Sequence, residues 1–290
     1  MELCDKYLHD MIKIDPTIND FFSFSQYENK KDIQPYVYSE NHYKKLHDLD
    51  IKYKKILNKK KDKSHYDEIL LRDINHNIHM ETQYEIYMYM PINLNDNILI
   101  SYVTECSGNG MYNFNKRNDF LFFMKRLKSL NKITNEILSK MRYGIKQKVL
   151  LPKRTVNRMI ENITYIFNNK SYDNNLKYKP KEWNEYVEKY LIKNLEKLQQ
   201  FLIKEYYPSI VTEHIGLCSY KGGKDAYKNM IKYYTFEGIT PEIIFNLGIS
   251  ELKRLTKEKK RLQKSLKISD IDKEVKKYVF SDKKDVFNYL

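Results

Sequence analysis

The chain has 290 residues, enough for one large domain or two modest ones, and 41% of them are hydrophobic. Its 52 Lys and Arg against 38 Asp and Glu give a net charge of +14, densest at 59–63 and 253–267. The charge is otherwise spread along the chain, which favours a solvated basic surface over a dedicated nucleic-acid-binding arm. The abundance of Lys, Asn, Ile and Tyr also indicates an A+T-rich genome.

The cysteines and the apolar runs exclude several classes of protein. Cys4, Cys106 and Cys218 are odd in number and far apart, so the sequence holds neither a disulfide framework nor a Cys-x-x-Cys zinc clip. No segment approaches the ~18 consecutive apolar residues of a membrane-spanning helix. The charged start of the chain, residues 1–16, does not resemble a secretory signal. We therefore expect a cytoplasmic protein.

Helical periodicity dominates residues 1–167, which we predict to form an N-terminal helical region. Ser39 is a predicted N-cap of one amphipathic helix, and another is predicted from Tyr66 to about Met90. Two more helices follow, with apolar residues spaced by three or four at Phe120, Phe123, Leu127, Leu130, Ile133, Ile137 and Met141, and then at Val156, Ile160, Ile163 and Phe167.

A polar stretch at residues 168–180 breaks these patterns and is the predicted linker or long loop. Beyond it, we predict that residues 181–290 form a second helical region. A long amphipathic helix begins there near Trp183. Another begins after Thr240, whose hydroxyl and following proline are helix-start signals, and Gly248 within it indicates a close helix contact or a break.

Strand signals are rare in this sequence. The best are the apolar run at residues 98–104 and the turn-bounded piece at residues 215–220. The sequence therefore predicts a mostly α fold, a multi-helix array with at most a small β-hairpin or short strands.

Few side chains have a spacing that suits catalysis or metal binding. His76 and His79 share one side of a predicted helix, and we interpret them as polar residues of a solvated face. His214 lies four residues before Cys218, but a glycine between them argues against the helix that would join the two side chains. The His-Glu-x-x-His, phosphate-loop and Gly-x-Ser-x-Gly patterns do not occur. We predict no catalytic residue, no metal site and no cofactor.

Residues 206–266 combine glycines, helix-start signals and amphipathic runs in a specific order. In chain order these are YYP, Gly216-Leu217, Gly222-Gly223 with Tyr227, Tyr234-Thr235, Thr240-Pro241-Glu242-Ile243-Ile244 and Leu247-Gly248. This order resembles the bacterial domain-of-unknown-function 885 family, and residues 120–160 resemble the helical region of the same family. The resemblance is spread over most of the chain.

The resemblance implies a peptidase-like helical fold, because members of the family resemble α-helical zinc carboxypeptidases. It also implies that the zinc-binding His-Glu-x-x-Gly-His segment belongs to a second half of the fold, beyond this sequence. We therefore expect a catalytically inactive N-terminal half, truncated or split, that a separately encoded metal-bearing half completes. Gly216, Leu217, Gly223 and Tyr227 would line its cleft; the alternative for each of them is a turn with core packing.

Two alternatives to the split peptidase remain open. One is a basic helical protein that binds RNA or DNA through lysine faces and exposed tyrosines. The other is a structural or partner-binding scaffold, and no membrane association is expected in any case. Steep salt dependence of nucleic-acid binding would favour the first, whereas a large exposed apolar surface on residues 180–266 would indicate a missing protein partner.

Overall fold

The structure is a computed structural model that divides the chain into two compact units, Met1–Asn229 and Met230–Leu290. It describes residues 3–22, 24, 26, 30–82, 89–173, 176–211, 216–235, 238–277 and 279. Throughout these residues the regular structure is helical, and no strand occurs among them. The predicted mostly α fold is confirmed.

The described part of the chain contains twelve α-helices. In chain order they are α1 (Leu3–Ile14), α2 (Asn19–Phe22), α3 (Glu40–Lys59), α4 (His65–Thr82), α5 (Ile98–Cys106), α6 (Arg117–Gln147), α7 (Lys153–Asn169), α8 (Trp183–Tyr186), α9 (Lys193–Phe201), α10 (Gly223–Tyr234), α11 (Pro241–Ser265) and α12 (Ile271–Lys276). The π-helical segment Val187–Ile192 joins α8 and α9 into one long helix, and a second π-helical segment, Leu202–Tyr206, extends it to the 3-10 turn Tyr207–Ser209.

Local signals in the sequence set several of the helix ends. The Ser39 hydroxyl accepts a hydrogen bond from the His42 amide at 3.3 Å, which confirms Ser39 as the N-cap of α3. Thr240 caps α11 in the same way, through the Ile243 amide at 3.3 Å. In α4 the described helix ends at Thr82, and residues 83–88 of its predicted extension lie outside the described residues.

The strand predicted at residues 98–104 is wrong, because this segment is helix α5. The Asn97 side chain caps that helix by accepting from the Leu99 amide at 3.1 Å. Its buried residues are Leu99, Tyr102, Val103 and Cys106, which follow the helical spacing of three and four. A short apolar run rich in β-branched residues suits either structure, and burial of one helical face decides between them. Of the second predicted strand, residue 215 is outside the described part, and Leu217–Ser219 is a 3-10 turn.

Two hydrophobic clusters hold the first unit together. The smaller one joins α1, α3 and α4 through Tyr7, Leu49, Tyr53, Leu57, Leu70 and Ile74. Inside it the Tyr7 hydroxyl donates to the Asp50 carboxylate at 2.6 Å, so a buried polar pair is satisfied. Burial raises the pKa of both groups above their ordinary values.

The larger cluster is built around α6, which buries one continuous side along its length. Trp183 at the start of α8 packs edge-on against Phe120, with ring centroids 5.0 Å apart, and also contacts Phe114 and Phe123. The cluster continues on both sides of residues 168–180, since Ile166 before this stretch and Leu191 after it belong to the same core.

A buried ion pair connects the N-terminal segment to α6. The Arg126 guanidinium donates to both carboxylate oxygens of Asp20, at 2.6 and 3.2 Å, and also to the Lys31 carbonyl. It stacks over the Tyr112 ring at 4.9 Å. The Arg126 side chain is only 3% exposed, so the pair is largely removed from water. The contact positions Asp20 and Lys31 against the core.

Stability is expected to fall at mildly acidic pH because of His42, which is buried in the first turn of α3. Burial lowers the pKa of His42 below its ordinary value. The unfolded chain therefore takes up the proton first as pH falls through about 6.5, and the stabilisation present above that pH is lost at up to ~1.4 kcal/mol per pH unit. Urea unfolding at about pH 7.5 and about pH 5.5 should show a smaller acid loss in His42→Gln than in the parent. An equal loss in both proteins would contradict this, and His65→Gln, an exposed histidine in α4, is the control.

Candidate functional site

Three of the four predicted cleft residues lie in one tight turn before α10. Gly216 precedes the 3-10 turn Leu217–Ser219 with φ of 78°, a left-handed conformation that favours glycine. Gly223 begins α10, and a Cβ atom at this position would lie 1.7 Å from the Leu217 carbonyl oxygen. Tyr227 follows one helical turn later and is 46% exposed. Glycine at 223 is thus required for close backbone approach, whereas the cleft-lining role of the four residues stays a prediction.

Two tyrosine hydroxyls, one before this segment and one inside it, bind the backbone at residues 150 and 151, and the sequence interpretation did not identify their role. The Tyr220 hydroxyl donates to the Leu150 carbonyl at 2.6 Å, and the Tyr206 hydroxyl accepts from the Leu151 amide at 2.8 Å. Burial raises the pKa of Tyr220 to about 12 and that of Tyr206 above its ordinary value. Both hydroxyls therefore stay protonated and satisfy the backbone between α6 and α7. The 26 tyrosines of the sequence were the signal that could have indicated buried hydroxyls bonded to the backbone.

Adding one methyl group at Gly223 is expected to disrupt this turn. Gly223→Ala places a Cβ against backbone rather than against a movable side chain, and we expect a cost of about 1–3 kcal/mol with faster amide exchange over residues 216–227. Hydrogen-exchange mass spectrometry measures the exchange.

The matched control is Gly248→Ala within α11. Among the described residues no atom outside that helix lies within 4 Å of its Cβ position, and the helix is continuous there, so neither the predicted close contact nor the predicted break occurs in this part of the structure. This substitution is expected to stabilise α11 by about 0.5–1 kcal/mol. Equal exchange over residues 216–227 in Gly223→Ala and the parent would contradict the close-approach interpretation.

The structure shows the surroundings of two cysteines and of one histidine on α4. Cys106 is fully buried, and burial raises the pKa of its thiol, which opposes formation of the nucleophilic thiolate. Cys218 is exposed, and its predicted neighbour His214 lies outside the described residues. The His79 ring on α4 hydrogen-bonds the Asn229 amide. Among the described residues no group of three or more His, Cys, Asp and Glu is placed to hold a metal ion.

The second unit presents a long amphipathic helix, α11, in which no residue is buried. Its apolar face consists of Phe245, Ile249, Leu252, Leu255 and Leu262, which are between 40% and 68% exposed. At 100° per residue these side chains occupy a stripe of roughly 140°. An apolar stripe of this width is typical of a helix that packs against protein, so this face is the strongest candidate for an interaction site.

Positive charge lies beside the apolar face of α11. The lysine face consists of Lys253, Lys257, Lys260 and Lys264, spaced by three and four residues along one side of the helix. The acidic residues Glu251 and Glu258 pair within the helix, with Arg254 and Arg261 respectively. Residues 241–265 carry seven basic and three acidic side chains, a difference of +4. The face therefore combines apolar area with a basic edge.

Comparison with known proteins identifies the family of the chain. Of the helices that the structure describes, none has the length and the apolar character needed to cross a membrane. No curated protein matches the sequence. A family model described as "Bacterial protein of unknown function (DUF885)" matches residues 28–288, which is most of the chain. The match includes the Gly216–Tyr227 segment and α11, and the chain thus belongs to this family of bacterial proteins of unknown function.

Proposed function

We propose that this chain is a binding subunit: the catalytically inactive helical half of a peptidase-like assembly whose metal-bearing half is a separately encoded protein. The observation that carries the proposal is the apolar face of α11, five large side chains that are each at least 40% exposed, on a helix that the family model includes. Each side chain of this kind contributes about 1.5–3 kcal/mol when it is fully buried. Burial of this face by a partner would therefore contribute a large part of the binding free energy.

The charges of α11 specify the chemistry of that partner. An amphipathic helix is bound by laying its apolar stripe in a hydrophobic groove, with the polar residues at the rim. Because the lysine face lies at the rim of the stripe, the groove should carry carboxylates along its edge. Such a complex is expected to associate faster at low ionic strength, while its dissociation depends mainly on the apolar contacts.

The proposal is tested by metal analysis and peptide hydrolysis on this chain, on a candidate protein that carries His-Glu-x-x-Gly-His, and on their mixture. We expect zinc in the candidate protein and hydrolysis that rises when the two proteins are combined. Phe245→Glu, which places a charge on the apolar face, should abolish the rise, and Tyr165→Glu, an equally exposed position on α7, should not. Zinc-dependent hydrolysis by this chain alone, or a mixture no more active than its parts, would overturn the proposal.

The lysine face supports one second candidate, a basic helical protein that binds nucleic acid. Lysines at 253, 257, 260 and 264 rise about 6 Å per four residues, a spacing that suits successive phosphates. The association constant of such binding should fall steeply with salt. On a log–log plot of this constant against salt concentration, the slope should be about −1 for each phosphate that is neutralised. Failure of the chain to bind heparin or single-stranded RNA at low salt would contradict it.

A further inference from the structure

A cavity of about 620 Å³ lies in the first unit, and its lining residues do not belong to the Gly216–Tyr227 segment. The start of α3 provides one wall, with Tyr38 and Glu40, and the middle of α6 provides another, with Glu136 and Lys140. The remaining sides include two tyrosines, Tyr89 and Tyr143. Its size lies in the range of ordinary small-molecule sites, which are about 300–1,000 Å³.

One carboxylate oxygen of Glu136, at this cavity, accepts no hydrogen bond from the described residues. This atom, Oε2, is enclosed. The two lysines one turn away on α6 point to aromatic rings, Lys132 to Tyr36 at 3.8 Å and Lys140 to Tyr43 at 4.9 Å. Burial raises the pKa of Glu136, and the positive charges of Lys132 and Lys140 oppose that rise without donating a hydrogen bond to Oε2. A ligand with N–H donors supplies that hydrogen bond.

The walls of the cavity determine which kind of donor fits. Tyr89 and Tyr143 have ring centroids 5.0 Å apart at 47°, and Tyr38 is buried behind them. Tyrosine rings attract cations through their faces and pack against flat apolar groups. The ionisable lining residues are Glu40, Glu136 and Lys140, and Lys132 also acts on Glu136, so acids and bases around the cavity are equal in number. The preference for a cation therefore depends on the enclosed Glu136 oxygen and the tyrosine rings.

We propose that this cavity binds an organic monocation, a primary ammonium joined to a flat apolar body, with the ammonium at Glu136 and the apolar body against the paired rings of Tyr89 and Tyr143. The ammonium donates to the enclosed carboxylate oxygen, and the tyrosine rings cover the apolar part. A neutral ligand of the same shape fills the same volume but leaves that charged acceptor without a charged donor. This site is independent of the α11 face and of the proposed partner.

The test compares two ligands that differ only in charge. Tyramine carries a phenol ring and a primary ammonium, and tyrosol has a hydroxyl in place of the ammonium. In titration calorimetry on the full chain we expect tyramine to bind about tenfold or more tightly than tyrosol. Glu136→Gln should remove this preference, while Glu161→Gln, an exposed position on α7, should keep it.

A second variant tests the site without changing Glu136, in case Glu136→Gln disturbs folding. Ser139→Trp places a large ring in the cavity from an exposed position of α6, and it should abolish tyramine binding while the helix content stays at the parent value. Equal affinity for the two ligands, no binding of tyramine at millimolar concentration, or an unchanged preference in a folded Glu136→Gln protein would each overturn the assignment.

Discussion

Trp183→Ala is expected to lower the free energy of unfolding of the first unit by about 3–5 kcal/mol. Trp183 is 1% exposed, and its ring lies between 5.0 and 6.0 Å from those of Phe114, Phe120 and Phe123. Removing the indole leaves a cavity whose phenylalanine walls cannot all close. Because a domain has only about 5–15 kcal/mol of stability, this change is a large fraction of it.

Urea unfolding followed by far-ultraviolet circular dichroism is the appropriate measurement, since Trp183 is the single tryptophan and its fluorescence is lost with it. Tyr165→Ala, which removes an aromatic ring that is 63% exposed, is the matched control and should change the free energy by less than about 0.5 kcal/mol. Similar losses for the two variants would mean that the α6–α8 contact is not the centre of the core.

Arg126→Gln is the second large effect, with an expected loss of about 3–5 kcal/mol. The substitution leaves the Asp20 carboxylate, whose side chain is 16% exposed, without its cation, and it removes the donor to the Lys31 carbonyl. The cost comes from the group left behind rather than from the Coulomb attraction alone. Chemical denaturation of the purified variant measures it, and residues 20–31 should become more accessible to protease.

The comparison that isolates burial is Arg142→Gln. Arg142 pairs with Glu205 through two hydrogen bonds of 2.7 Å, but both side chains are almost half exposed. The exposed pair should contribute less than about 1 kcal/mol. Adding Asp20→Asn to Arg126→Gln should recover part of the loss, because it removes the stranded charge. If Arg126→Gln and Arg142→Gln lowered the free energy of unfolding by the same amount, burial would not explain the contribution of the Arg126–Asp20 pair.

Features that depend on a few neighbouring residues could be predicted from the sequence. Ser39 and Thr240 cap helices with their own hydroxyls, so their position in the fold is not needed to recognise them. The helix at residues 98–106 could not be predicted from local signals, because the choice between helix and strand depends on which side of the segment packs against the core. Gly223 and Gly248 look alike in the sequence, yet only the first meets backbone from another turn.

The same distinction applies to the sites. Glu136 and Lys140 are four apart on α6, a spacing that in sequence indicates a solvated pair. Their place at a cavity depends on Tyr38 and Tyr89, which approach from distant parts of the chain. By contrast, the apolar face of α11 is readable from its periodicity. What the sequence could not provide was its exposure, since an amphipathic helix more often packs on its own core.

Affinity between this chain and the metal-bearing protein is the most direct test of the docking role of α11. We expect a one-to-one complex in titration calorimetry, weakened at least about tenfold by Leu252→Glu and little changed by Ile203→Glu, a half-exposed position outside α11. Raising the salt concentration should slow association of the parent protein. A complex that tolerates Leu252→Glu as well as Ile203→Glu would show that the apolar face of α11 does not bind the partner.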